Sequence, residues 1–301
     1  MKRYLLILIS ITALLPYCGY ASPQLAPKAH FSYVQIPMHI SSPDMQRQYM
    51  LDHYWDHFDF NDTAFIEKID EMEMLRAYAT YVQHFVGPTD SAPIRRLMQR
   101  AATSRKMMDY FVRLGEKILH DPNSPLRSDE LYIAVLEAQL ASPHYDKYEK
   151  LAPEYDLRLA RQNRVGRKAN DLTYTTADAR RHTLYGIKSR YTLLYINNPG
   201  CPMCRDITEA LRHSSIITSK RASGELTILC LYPDEDLEAW RKEITSMPDT
   251  WIHSYDHGCV IRRMQSYDLR AIPSMYLLDA EKKVLLKDCT DVGLIERVIG
   301  R

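Results

Sequence analysis

The feature that most constrains the fold is a pair of cysteines between an apolar run and a helical segment. The run Tyr191–Ile196 has the β-favouring, apolar composition of a buried strand, and residues 205–213 read as a helix. Cys201 and Cys204 lie where the strand would turn into that helix. A thiol at a helix N-terminus meets unpaired backbone N–H groups and the positive end of the helix dipole, which favour the thiolate.

The Cys-x-x-Cys spacing predicts dithiol–disulfide exchange. Such sites typically lower the pKa of a thiol from about 8.5 towards about 7 or below, and the thiolate is the nucleophile. We expect Cys201 to be the exposed nucleophile and Cys204 the buried resolving thiol, because a helix start presents the first of the two. Gly200 and Pro202 support that start, since the missing N–H of a proline would be unbonded at the first helical position anyway.

The same two cysteines have two other interpretations, a half zinc site and a structural disulfide. A zinc site needs a second pair of ligands, and the nearest candidates are the scattered His253, His257 and Cys259. His53 and His57 have HxxxH spacing but lack the Glu of HExxH, so a structural role is favoured. A disulfide that closes so short a loop stabilises little. We therefore expect exchange chemistry, with neither a metal nor a cofactor.

Length and charge bound the remaining possibilities. A chain of 301 residues favours two domains, and a hydrophobic fraction of 46% is enough for sizeable cores. Lys and Arg number 39 against 38 Asp and Glu, so the charge balance gives no argument for binding nucleic acid.

Residues 1–21 have the pattern of a signal peptide. Two basic residues precede a short apolar core at 5–15, and small residues come just before a cleavage site at Ser22. The pattern predicts export to the periplasm or cell envelope. A lipoprotein acylated at Cys18 is the alternative, although the large side chain before Cys18 argues against it.

Export changes how the remaining cysteines are interpreted, because an oxidising compartment permits disulfides. The chain has six cysteines, and cleavage of the signal peptide would leave five. An odd number in a large chain is not a disulfide scaffold. We expect one working pair and three largely structural thiols, at Cys230, Cys259 and Cys289.

The rest of the first half is predicted to be helical. Residues 22–41 form an extended leader with a short strand around 31–36, and 42–164 form an all-α domain of unknown function. The apolar spacing and the breaks predict helices that start at Ser42 and 61–63 and that span 92–120, 128–140 and 143–164.

Residues 165–301 are predicted to form an α/β domain. Besides the strand and helix around the cysteines, apolar runs predict strands at 171–176, 182–185, 226–231, 275–278 and 284–286. Helical segments are predicted at 235–242, 259–267 and 291–299. This alternation implies a sheet with helices on both faces.

The Cys201–Cys204 helix start and the run YDLRAIPSMYLLD at 267–279 resemble the thioredoxin superfamily, and within it the secreted TlpA-like thiol-disulfide oxidoreductases. The resemblance spans residues 171–301. It implies a central mixed sheet flanked by helices. It also implies that Ile272–Pro273 is a cis bond beside the dithiol, and that the backbone of Ile272 pairs with a substrate strand.

The chain departs from the family pattern at three places. Family members commonly have Trp before the first cysteine, and thioredoxin has a buried Asp six residues before it; here these positions hold Gly200 and Tyr195. The residues between the cysteines also differ from the usual Gly-Pro. Since that dipeptide helps to set the redox potential, the family's potential does not carry over.

The helical half has a resemblance of its own. The stretches HYWDHFDF, DPNSPLRSDELYIAVLE and NRVGRKANDLTYT are similar to an uncharacterised helical domain that precedes TlpA-like domains in secreted bacterial proteins. This resemblance covers residues 31–164 and implies an architecture without an activity.

These observations predict an exported thiol-disulfide oxidoreductase that acts on disulfide-containing client proteins. The resemblance favours reduction over oxidation and implies an upstream electron donor, for which a membrane thiol relay is one candidate. The alternative is a binding or scaffold protein that keeps the fold with an idle dithiol. The missing Trp and the presence of Tyr195 support that alternative.

Overall fold

The computed structural model of the protein describes residues 28–300. The predicted signal peptide, residues 1–21, and the alternative acylation site Cys18 lie outside the described residues. Between residues 28 and 300, no helix combines the length and the apolar character needed to cross a membrane.

The first half of the described chain is helical. A π-helical turn, Glu116–His120, follows the fifth helix. The helices are α1 Pro43–His53, α2 Phe65–Lys68, α3 Glu71–His84, α4 Ala92–Ala101, α5 Arg105–Gly115, α6 Asp129–Ala141 and α7 Leu151–Ala160.

Two predicted long helices are each divided by a polar capping residue. Asp70 interrupts the helix predicted from 61–63, because its carboxylate accepts the backbone N–H groups of Met72 and Glu73 at the start of α3. Ser104 interrupts the helix predicted at 92–120 by accepting the N–H of Met107 at the start of α5. The apolar spacing continues across both breaks, so periodicity alone could not show them.

The start of the helical half differs from prediction in two respects. The strand expected around 31–36 is wrong: within residues 28–300 this stretch belongs to no strand, and the centre of the Phe31 ring lies 5.4 Å from that of Trp55. The first helix starts at Pro43 as expected but ends at His53. Tyr54, Trp55 and Phe58 follow it and fill the helical core, with exposures of 5% or less.

The last helix of the helical half begins later than predicted. The last helix starts at Leu151, and Pro143 initiates only turns. By contrast, α6 begins where expected, because the Ser128 hydroxyl accepts the N–H of Leu131.

The second half of the chain forms a seven-stranded sheet of order β2-β1-β5-β4-β3-β6-β7. Strands β3, β4 and β5 are parallel, and β1, β2, β6 and β7 run antiparallel to their neighbours. The strands are β1 Thr173–Thr176, β2 Arg181–Thr183, β3 Tyr191–Ile196, β4 Leu226–Tyr232, β5 Ile252–Tyr255, β6 Ser274–Leu278 and β7 Val284–Leu286. The helices are α8 Pro202–His213, α9 Ser215–Ala222, α10 Leu237–Ile244, α11 Val260–Met264 and α12 Val292–Ile299.

Two of these elements, α9 and β5, escaped prediction. β5 has only four residues, Ile-His-Ser-Tyr, and its strand conformation depends on pairing with β4 and β1 rather than on its own composition. Helix α9 begins directly after α8, since Ser214 ends one helix and caps the next by accepting the N–H of Ile217.

The strand before the cysteines is the centre of the sheet. All six residues of β3 are buried, and successive side chains point to opposite faces. Leu193 and Tyr195 pack against α8, α9 and α12, whereas Leu194 and Ile196 pack against the layer that contains α11. The predicted fold class, a mixed sheet flanked by helices behind an all-α region, is therefore confirmed. The loop that carries the cysteines leaves the carboxyl end of β3.

Candidate active site

The Cys201 side chain caps the helix that follows β3. Its Sγ accepts the backbone N–H of Cys204 at 3.2 Å, and the first residue of α8 is Pro202. Cys201 is partly exposed, whereas only 5% of Cys204 is exposed. The two thiols thus have the accessible and buried positions that we predicted. An N–H donor aimed at sulfur stabilises a thiolate more than a thiol.

Burial sets the protonation of the second thiol. Burial and, to a smaller extent, the neighbouring Cys201 sulfur raise the pKa of Cys204, while the backbone N–H of Asn198 lowers it, and the net pKa is about 12. Cys204 is therefore a protonated thiol at neutral pH, and it must lose that proton before it can act as a nucleophile.

The residues that flank Cys201 shape an open, partly apolar surface. Gly200 has a φ of +72°, which a side chain would adopt only with strain, although nothing lies within 4 Å of the position of an added Cβ. Met203 is 56% exposed beside the cysteines. A partner's backbone can therefore approach Cys201 without displacing a large side chain.

Tyr195 lies directly beneath the first turn of α8. Its hydroxyl donates to the backbone carbonyl of Cys204 at 2.6 Å and lies 3.3 Å from the Thr208 hydroxyl. The side chain is fully buried, and burial raises the pKa of Tyr195 far above its ordinary value. The residue that replaces thioredoxin's buried acid is thus a neutral hydrogen-bond donor that fixes the helix start. The sequence marked this position as unusual, but gave no sign of the hydrogen bond.

The Ile272–Pro273 peptide bond is cis, as the resemblance implied. Strand register brings it near the cysteines: Ser274, the first residue of β6, pairs with Ile196, the last residue of β3. The loop that precedes β6 and the cysteine loop therefore leave the sheet at the same edge. Pro273 is buried and Ile272 is partly exposed. Pairing of the Ile272 backbone with a substrate strand stays a prediction.

The segment that leads into the cis bond is anchored to the helical half of the chain. The Asn163 side-chain amide donates to the Ser266 carbonyl at 2.7 Å. Arg270 donates to the Asp156 carboxylate at 3.1 Å. Sequence reasoning missed these contacts, because they join residues more than a hundred positions apart.

Asp268 is the buried centre of this anchor, with 4% of its surface exposed. It accepts hydrogen bonds from Arg270 at 2.7 Å and from Arg127 at 3.3 Å. Burial alone would raise the pKa of the Asp268 carboxyl, but the hydrogen bonds and charge of Arg270 outweigh burial and lower it. Arg127 also pairs with Asp288. The two arginines thus hold carboxylates at the base of the loop.

His120 completes the anchor on the helical side. Its ring stacks on Tyr132 with centroids 4.2 Å apart, and its Nε2 lies 2.5 Å from a guanidinium nitrogen of Arg270. Arginine can only donate, so Nε2 must be the unprotonated acceptor. Burial and the Arg270 charge lower the pKa of His120.

The other cysteines and histidines lie apart from this arrangement. Cys230 is buried in β4, and burial raises its pKa, while Cys259 and Cys289 are partly exposed. The His253 Nε2 faces the Pro248 carbonyl at 3.0 Å rather than a metal site. In the part of the chain that the structure describes, no three His, Cys, Asp or Glu side chains form a group suited to a metal ion.

Both halves of the chain are similar to known proteins. The model of a domain of unknown function, DUF5106, matches residues 16–163. The crystal structure of a thioredoxin-like protein from Bacteroides caccae ATCC 43185 is 38% identical, with a TM-score of 0.85, and the match covers 90% of this chain and 98% of that one. No curated protein matches the chain.

Shorter structures match the second half. The C-terminal domain of an uncharacterized protein from Bacteroides fragilis NCTC 9343 is 42% identical over 46% of this chain and 99% of that one, with a TM-score of 0.45. The thioredoxin domain of a thiol-disulfide oxidoreductase from Bacteroides vulgatus is 22% identical over 45% of this chain and 98% of that one, with a TM-score of 0.40.

The B. caccae structure extends over both the helical half and the sheet, at an identity of 38%. A DUF5106 domain precedes the sheet, which carries the Cys-x-x-Cys helix start and the cis bond at one edge. The chain therefore belongs to the thioredoxin-like family of proteins.

Proposed function

We propose that this protein is an exported thiol-disulfide oxidoreductase that reduces disulfides in client proteins. The observation that carries the proposal is the partly exposed Cys201 sulfur, which accepts the Cys204 N–H at 3.2 Å at the first turn of α8. A sulfur held in this way can attack a disulfide as a thiolate, while Cys204 waits as a protonated thiol three residues away.

The reaction has two exchange steps. The Cys201 thiolate attacks one sulfur of a client disulfide, which forms a Cys201–client disulfide and releases the other client sulfur as a thiolate. Cys204 then loses its proton and attacks the Cys201 sulfur, which releases the second client thiolate and leaves a Cys201–Cys204 disulfide. The client gains two electrons, and the released thiolates take up two protons.

Two surfaces support a protein substrate over a small molecule. Met203 presents an exposed apolar side chain beside the cysteines, and Gly200 leaves the approach to Cys201 open. The loop before β6 lies at the same sheet edge, with Ile272 partly exposed. An extended client segment can lie along this loop and bring its disulfide to Cys201.

The direction of electron flow and the place of action are part of the proposal. The signal-peptide pattern of residues 1–21 supports export, and the family resemblance supports reduction. A reductase in an oxidising compartment must be reduced again after each turnover. We therefore propose an upstream dithiol donor, such as a membrane thiol relay, as the second partner.

Insulin reduction by the mature chain tests this function. We expect turnover by the unaltered protein and none above background by Cys201→Ser. Cys259→Ser is the matched control, because it removes a partly exposed thiol outside the pair. The variant Cys204→Ser should accumulate a Cys201–client disulfide that a non-reducing gel detects. Equal turnover by the unaltered protein and Cys201→Ser would exclude the proposal.

A second candidate function is binding without redox turnover. It is favoured by one observation, which is that the buried Cys204 lies against the Tyr195 hydroxyl and not against an acid. Burial also raises the pKa of the Cys204 thiol, to about 12. If Cys204 cannot lose its proton, Cys201 forms mixed disulfides that are not resolved. The unaltered protein would then accumulate as much client adduct as Cys204→Ser, whereas a reductase accumulates much less.

A further inference from the structure

A cleft lies between the helical half and the segment that leads into the cis bond. It has a volume of about 330 Å³. Tyr155 and Leu159 of α7 line one side, and Gln265 and Leu269 line the other. Both halves of the chain therefore contribute walls, and neither half forms the cleft alone.

The cleft lies next to the loop that leads into the cis bond. Leu269 and Arg270 line it, and Ile272 follows Arg270 by two residues. An extended chain advances about 3.4 Å per residue. A client segment that pairs with the loop at Ile272 would therefore place a side chain two to four residues from its cysteine in the cleft.

Some of the arginines at the cleft have ion-pair partners, and one does not. Arg262 pairs with Asp234, and Arg270 pairs with Asp156 and Asp268. Arg158 donates to the Gln265 side-chain oxygen at 3.1 Å and lies 5.5 Å from the centre of the Tyr155 ring. Among residues 28–300, Arg158 has no ion-pair partner, so it is an unpaired positive charge next to the lining residues Gln265 and Tyr155.

Exposed apolar side chains lie beside these charges. Tyr155, which lines the cleft, is 38% exposed, and Met264, which precedes the lining residue Gln265, is 71% exposed. Large exposed apolar side chains beside an unpaired cation favour a partner that carries an apolar and an acidic side chain close together.

From these features, and on the basis of the proposed function, we infer that the cleft binds the segment of a client protein that flanks its disulfide, with an apolar side chain between α7 and Leu269 and a neighbouring carboxylate at Arg158. The helical half would thereby select clients, because it supplies Arg158 and Tyr155. Regions of a client that are rich in Lys or Arg would be rejected.

Three model peptides test this selection with the full mature chain. Each peptide carries one cysteine, which forms a mixed disulfide with an uncharged fluorogenic thiol. Each also carries a Leu three residues from that cysteine, and the residue after the Leu is Asp, Asn or Lys. We expect kcat/KM to fall in the order Asp, Asn, Lys, with about a tenfold range at low salt. The difference should lie mainly in KM and shrink as salt is added.

Arg158→Glu should reverse the order of the Asp and Lys peptides. Arg181→Glu is the matched control, since Arg181 is exposed on β2 and lies outside the cleft and the cysteine loop; it should keep the original order. If the unaltered protein reduces all three peptides within a factor of two of one another, or if Arg158→Glu keeps the preference for Asp, the inference is wrong.

Two further measurements separate this inference from the proposed function. Turnover of hydroxyethyl disulfide, which is small and uncharged, tests the exchange chemistry without the cleft. If no disulfide is turned over, the same peptides with Ser in place of Cys are tested for binding by fluorescence anisotropy. Tighter binding of the Asp peptide that Arg158→Glu reverses would support the cleft assignment, and equal binding of all three would contradict it.

Discussion

The phenolic hydroxyl of Tyr195 donates a hydrogen bond to the backbone carbonyl of Cys204 at 2.6 Å. This hydrogen bond ties the end of a central strand to the first turn of the helix at which both cysteines lie. Tyr195 is fully buried and neutral, so it supplies a fixed donor and no proton-accepting carboxylate. Tyr195 is therefore a positioning residue, and the Cys204 proton must be taken by a group from solvent or from the client.

Removal of this hydroxyl should weaken the helix start without abolishing the fold. We expect Tyr195→Phe to lower the free energy of unfolding by about 1 kcal/mol, which is typical for one lost buried hydrogen bond. Urea unfolding measures this change. Tyr191→Phe is the control, because Tyr191 lies on the same face of β3 and is buried next to the same cluster. An equal effect of both substitutions would show that the hydrogen bond to Cys204 adds nothing to the free energy of unfolding.

Thiol accessibility and protonation predict the order of alkylation. In the reduced protein, iodoacetamide at pH 7 to 9 should modify Cys201 first, because Cys201 is partly exposed and accepts an N–H at its sulfur. Burial raises the pKa of Cys204 to about 12, so its thiol stays protonated throughout this range. Mass spectrometry of the digested protein gives the order. Faster labelling of Cys204 than of Cys201 would contradict these roles.

The buried carboxylate at the base of the cis-proline loop should contribute strongly to stability. Asp268→Asn leaves Arg270 and Arg127 without this buried partner, and we expect a loss of about 3 kcal/mol at pH 7. The pKa of Asp268 is lowered in the folded state, so its stabilisation is present above the ordinary value of 3.8 and is lost as the pH falls through the lowered pKa.

Unfolding in urea at pH 7 and at successively lower pH checks this sign. The difference between the unaltered protein and Asp268→Asn should be largest at pH 7 and should shrink below pH 3.8. Asp178→Asn is the control, because the Asp178–Arg180 pair is exposed and such pairs contribute little. A difference that grows in acid would refute the assignment.

His120 should make the contact between the two halves sensitive to mild acid. The pKa of His120 is lowered below its ordinary value of 6.5, so the unfolded chain binds the proton first. The stabilisation by neutral His120 is present above pH 6.5 and is lost as the pH falls through the lowered pKa. We expect the free energy of unfolding to decline less below pH 6.5 in His120→Gln than in the unaltered protein.

The exposed His213 provides the comparison for this experiment. It is 76% exposed on α8 and pairs with Glu209. His213→Gln should keep the decline that the unaltered protein shows. A decline of the same size in His120→Gln would mean that other groups cause the acid sensitivity.

Local sequence patterns were sufficient to predict the centre of the fold and the helix start that carries the cysteines. The apolar run of β3, the Pro202 helix start and the strand–helix alternation all act over a few residues, and the structure has each of them. The cis bond followed from the family resemblance and not from local physics. Helix breaks at Asp70 and Ser104 went unpredicted because a capping side chain can interrupt an unbroken apolar period.

Features that depend on distant residues could not be predicted. The strand β5 forms because β4 and β1 flank it, and four residues of mixed polarity carry no sufficient signal. The charges of Asp268 and Arg270 are visible in the sequence beside the proline, but their partners Arg127 and Asp156 lie far away in the helical half. Only the packed structure shows that the helical half fixes the cis-proline loop.

The reduction potential of the Cys201–Cys204 pair tests the central claim most directly. The mature protein is equilibrated in dithiothreitol buffers of graded ratio, and the fraction of the pair that is oxidised is measured by thiol labelling. A protein that reduces client disulfides should show a reversible two-electron couple with a reduction potential nearer to about −270 mV than to about −120 mV. A value close to about −120 mV, or the absence of any Cys201–Cys204 disulfide at every ratio, would contradict a reductase.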